Sequence, residues 1–96
     1  MKILALLQPT GGTTPETLRT YAVEENKIVW ELYKAALIRE MYFRGDGRGA
    51  IFVLESDSVE AAKEAFSQLP MVRDNLLTAE FIPINPFTQL ELAFAK

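Results

Sequence analysis

Lys2–Gln8 reads KILALLQ, apolar at nearly every position and without the alternation of a strand that keeps one face in water. It predicts a strand buried on both faces. Pro9–Thr14 follows as a Gly- and Thr-containing loop, and Thr13 with Glu16 has capping-box spacing, with Pro15 suited to a first helical turn. A long helix is expected from there. Its apolar positions Leu18, Tyr21, Ala22, Ile28, Val29, Leu32 and Tyr33 recur at steps of three and four, forming one stripe for the sheet, with Glu25 in its middle. Two runs of β-formers, Ile38–Phe43 and Ala50–Leu54, flank Gly45-Asp46-Gly47-Arg48-Gly49, whose glycines supply the positive φ of a tight reversal. That is a hairpin. Asp57 and Glu60 repeat the capping-box spacing, and Val59, Ala62, Phe66 and Leu69 predict a second, shorter helix ended by Pro70. After a connection over 71–75, Leu77–Ile84 reads as a strand whose Pro83 argues for an edge or a strand end.

The order β-α-β-β-α-β with right-handed crossovers predicts an α+β, ferredoxin-like domain over 1–86: a four-stranded antiparallel sheet with both helices on one face. The strands are nevertheless apolar on both faces, with Leu4 and Leu6 opposing Ile3, Ala5 and Leu7, and Ile51 and Val53 opposing Phe52 and Leu54. The uncovered face then needs a second apolar layer, most simply the same sheet from another copy, which predicts a dimeric α+β barrel. The tail over 87–96, FTQLELAFAK, alternates roughly as a strand through Phe87, Leu90, Leu92 and Phe94. It is expected to pack on a partner subunit.

Composition narrows the chemistry. At 96 residues the chain is one domain, and 49% hydrophobic against 24% charged residues is apolar for its size, consistent with a homodimer or larger homo-oligomer. Ten basic against thirteen acidic residues, with no Lys/Arg run, argue against nucleic acid as a partner. The lack of Cys and His removes thiol nucleophiles, disulfides and the commonest metal ligands, so neither a metal nor a cofactor is expected. Ile3–Leu7 is too short for a signal-peptide core or a membrane span, so no membrane association and a cytoplasmic location are expected by default.

Glu25 is the candidate catalytic residue, because a carboxylate in an apolar stripe is desolvated and becomes a stronger base, suited to removing a carbon-bound proton. Arg39 and Arg44, which bound the second strand, are candidates for a two-pronged grip on a substrate carboxylate. Tyr42 and Glu80 are the next polar groups by strand position. Each has a structural alternative: Glu25 as an ion-pair partner of an arginine, and Arg39 or Arg44 as surface partners of Glu40 or Glu55. The glycine-rich segment precedes no helix, so it reads as a turn and not a phosphate cradle.

Ser58-Val59-Glu60-Ala61, Gln68-Leu69-Pro70, the arginines at 39 and 44 and Glu25 together resemble muconolactone isomerase and its relatives among the dimeric α+β barrel proteins. The resemblance spans roughly positions 18–86, with SVEAAKEAFSQLP as its one local signature. It implies a dimeric or larger ring assembly and a proton shift on an unsaturated lactone, or a related acid, in the breakdown of aromatic compounds. This sequence departs from the family in having Met41-Tyr42 and Asn85 where the relatives carry histidines. A non-catalytic ligand-binding or assembly module on the same fold is the alternative. A cofactor-free oxygenase is a third reading, weakened because Trp30, the single tryptophan, lies off the helix stripe.

Overall fold

Eight segments follow one another in the computed structural model, which describes residues 1–95; Lys96, the last residue of the predicted tail, lies outside the described residues. They are β1 (Lys2–Pro9), α1 (Pro15–Lys34), β2 (Ile38–Phe43), β3 (Ala50–Glu55), α2 (Val59–Phe66), α3 (Pro70–Arg73), β4 (Leu77–Ile84) and a 3₁₀ segment (Thr88–Phe94). The sheet order is β2-β3-β1-β4, with every neighbouring pair antiparallel. Each long connection therefore crosses one intervening strand, which is the ferredoxin-like topology expected from the order of elements. β4 is an edge strand, so Pro83 removes no hydrogen bond from an inner ladder.

The core lies on the helix-covered face. Ile3, Ala5 and Leu7 of β1, Ile38 of β2 and Phe52 and Leu54 of β3 are buried against Ala62 and Phe66 of α2 and Leu69. Phe66 meets Phe52 and Phe81 edge to face, with ring centroids 5.3 and 5.6 Å away. On the other face Leu4, Leu6, Ile51 and Val53 are half-buried and Ile82 and Ile84 are exposed, with no second layer over them.

Several local expectations shift. Both long helices begin one residue later than the capping-box spacing suggested: Thr14 Oγ1 accepts from the Thr17 N–H (3.2 Å) and Ser58 Oγ from the Ala61 N–H (3.0 Å). In each case a neighbouring hydroxyl of equal capping ability takes the extended conformation first. α2 stops at Phe66, and Pro70 opens α3 where it was expected to end a helix, because a first-turn proline sacrifices no helical N–H. Tyr33 is 44% exposed and stacks on Trp30 (5.9 Å), three residues back on the solvent side of α1, so it leaves the core stripe. The tail is 3₁₀ helix and not strand, with Phe87, Leu90, Leu92 and Phe94 all exposed. No strand edge is beside it to satisfy extended backbone, so local i→i+3 bonding takes over.

The β2–β3 hairpin closes with Arg44 N–H donating to the Gly49 carbonyl at 2.7 Å. Gly49 has φ +132°, and a Cβ there would collide with the Leu7 carbonyl of β1, so the turn sits directly on the neighbouring strand. Only glycine permits that approach.

Candidate active site

α1 stands off the sheet along much of its length, and Glu25 is its one buried residue. Beside it a cleft of about 700 Å³ opens between α1 and the inner sheet face, a size suited to a small organic molecule. Leu18, Ala22 and Val29 form the helix wall, Leu7, Met41, Ala50 and Phe52 the sheet wall, and Met71 one end. The lining is chiefly apolar. Its polar side chains are those of Glu25, Asn26, Arg19, Tyr42 and Arg44.

Glu25 is 7% exposed. Its Oε1 accepts the Met71 N–H at 3.0 Å, which supplies a cap that α3 lacks from its own N-cap residue, Leu69. No arginine pairs with it among the described residues. Burial raises its pKa above the ordinary glutamate value, opposed by the Met71 hydrogen bond and by the positive field of Arg73. The group is therefore a desolvated carboxylate with one oxygen held by backbone and the other making no hydrogen bond within the described chain. Such a carboxylate can accept a proton from carbon and release it again.

The remaining sequence candidates divide. Arg44 lines the cleft, but its guanidinium donates twice to Asp46 (3.1 and 2.6 Å), which also draws the Asp46 carboxyl below the usual range. Tyr42 borders the cleft in sequence between Met41 and Phe43, yet its hydroxyl donates to Glu40 at 2.6 Å; this bond is the main cause of its raised pKa. Arg39 lies away from the cleft, its Nε donating at 2.7 Å to the carbonyl of Ala36, a residue in the left-handed region where α1 ends. Glu80 lines a small depression beside Leu6, Gln8 and Thr78, with Arg44 at its edge, away from Glu25. Glu25 and Arg44 thus share one cleft, whereas Arg39 and Glu80 do not.

Sequence reasoning missed Arg19, Asn26 and the Met71 N–H. Asn26 had a signal, since it follows Glu25 on the same helix. A backbone donor from α3 has no side-chain signature at all. Three further groups meet beside Met71: the Tyr21 hydroxyl donates to Asp74 Oδ2 at 2.8 Å, and Arg73 Nε and Nη2 donate to Asp74 Oδ1 and Oδ2 at 2.9 and 3.3 Å.

The sheet order, the helices on one face and the bare opposite face define the ferredoxin-like architecture of the dimeric α+β barrel proteins. Among solved structures the chain is similar to muconolactone isomerase, with a TM-score of 0.70 and 16% identity over 90% of both chains. It is likewise similar to 5-chloro-2-hydroxyhydroquinone dehydrochlorinase from Burkholderia phenoliruptrix AC1100 in complex with 2,5-dihydroxybenzoquinone, with a TM-score of 0.69 and 14% identity over 93% of this chain and 98% of that one. An antibiotic biosynthesis monooxygenase aligns with a TM-score of 0.56 at 15% identity, over 90% of this chain and all of the other. At these identities the likeness is one of fold. No family model and no curated protein matches the sequence. Among the described residues no helix is long and apolar enough to cross a membrane.

Proposed function

We propose that the protein is a small-molecule isomerase in which Glu25 shifts a proton on an unsaturated lactone or a related unsaturated acid of aromatic-compound breakdown. The observation that carries this reading is an unpaired, 7% exposed carboxylate lining an apolar cleft. In the reaction Glu25 takes a proton from the carbon next to the carbonyl, the electron pair moves along the conjugated system, and the carboxyl returns a proton to the far carbon. Apolar walls favour the neutral carboxyl formed in between. Arg44, once it leaves Asp46, is the cation for a substrate carboxylate. The fold likeness to an isomerase and a dehydrochlorinase supports this class of substrate.

Incubation with an unsaturated lactone in D₂O is the direct test, because a proton held on Glu25 exchanges with solvent before it is returned. Deuterium is expected at the receiving carbon, by NMR, faster than in the protein-free control. Lactone binding without exchange would instead favour a non-catalytic binding module, in which Glu25 serves only to cap α3.

The same reading includes a homodimer, with a second copy's sheet covering Leu4, Leu6, Ile51, Val53, Ile82 and Ile84 and the tail packing on the partner. Support comes from the bare apolar face and from four exposed large apolar side chains in the tail. Sedimentation at micromolar concentration should show a dimer or larger species, and removal of residues 87–96 should weaken it; a monomer throughout rules the dimer out.

A further inference from the structure

Two helical turns meet beside the cleft. From α1 come Tyr21 and Glu25, one turn apart on the same face, and from α3 come the Met71 N–H, Arg73 and Asp74. Two hydrogen bonds tie the elements together: Met71 N–H to Glu25 and Tyr21 hydroxyl to Asp74. Asp74 does more than hold Tyr21, because both its oxygens also engage the Arg73 guanidinium. A carboxylate gripping a guanidinium in this two-pronged way fixes its direction and offsets its charge.

We propose that Asp74 is a positioning residue for Glu25: by holding Arg73 and accepting from Tyr21, it keeps the cation that α3 brings to the cleft engaged elsewhere, so that Glu25 stays unpaired and basic. The inference rests on the reading of Glu25 as the base. Other charged or titratable groups around the cleft are Arg19 on α1 and Arg44 and Tyr42 from the β2 side, with Arg44 engaged by Asp46 and Tyr42 by Glu40. Arg73 is the neighbouring charge that draws the Glu25 carboxyl down against burial. With Asp74 neutral, that cation is no longer offset and is free to turn towards Glu25.

The test reads Glu25 without requiring turnover, because the Met71 amide donates to its carboxylate and its ¹⁵N–¹H resonance follows the protonation of Glu25 with pH. Asp74→Asn should lower the midpoint by about half a pH unit, the order expected for one uncompensated charge at partly solvated range. Arg73→Gln alone should raise it, and the double variant Asp74→Asn/Arg73→Gln should return it at least to the wild-type value. Asp74→Glu, which keeps the charge, should stay close to wild type. A midpoint unmoved in Asp74→Asn, or one as low in the double variant as in the single, overturns the proposal. The acid limb of the exchange rate should move with the amide midpoint. If no substrate exchanges deuterium, the isomerase reading fails while the amide titrations still decide the role of Asp74.

Discussion

Glu25→Gln is expected to lower deuterium exchange into an unsaturated lactone by about 10²–10⁴-fold, the usual contribution of a positioned general base. Glutamine keeps an amide oxygen for the Met71 N–H, so the cap on α3 survives and only the basic charge is removed. Stability separates this role from a structural one. Because burial raises the folded-state pKa of Glu25, the folded chain binds more protons than the unfolded chain between the ordinary glutamate value and the raised one. The stability that this group contributes is therefore complete below the ordinary value and is lost as pH rises through the raised value. At neutral pH the glutamine variant should be at least as stable as wild type, and its urea midpoint should lack the decline seen in wild type across that window. A loss on the order of 3 kcal/mol at neutral pH would instead mark Glu25 as half of an interior ion pair and refute the base.

Phe66→Ala should cost about 3–5 kcal/mol, the range for removing a buried phenylalanine, and for a domain of this size that is a large part of total stability. Phe66 has no exposed surface and forms the junction at which α2 meets both β3 and β4 through Phe52 and Phe81. Its removal leaves a cavity that three elements would have to close together. Chemical denaturation followed by far-UV circular dichroism gives the value; a cost under about 1 kcal/mol would mean that the core lies elsewhere.

Period and turn chemistry made the fold readable. Unalternated Ile3–Leu7, the glycines of 45–49 and the stripe through Leu18, Ala22, Val29 and Leu32 each demand one kind of element, and all four strands lie where those patterns put them. The caps slipped by one residue because adjacent Thr13 and Thr14, or Asp57 and Ser58, offer equivalent oxygens and only backbone geometry selects between them. Glu25 could be singled out because a charge within an apolar stripe contradicts the pattern around it. Arg39 carried the same appeal as Arg44, yet a register shift between Ile38 and Glu40 and the carbonyl of Ala36 take it away from the cleft. Neither the bulge nor the Met71 N–H is written in side-chain types, so that part of the site required coordinates.

The absent side chain at Gly49 has a mechanical consequence. With the hairpin seated on the Leu7 carbonyl and Arg44 clamped to Asp46, one jaw of the cleft is fixed to the middle of the sheet. The opposing jaw is the first half of α1, where Leu18 and Ala22 are only half-buried and Arg19 is exposed. Adjustment to ligands of different girth therefore falls on the N-terminal turns of that helix, pivoting about Glu25, where the bond to Met71 anchors it to α3.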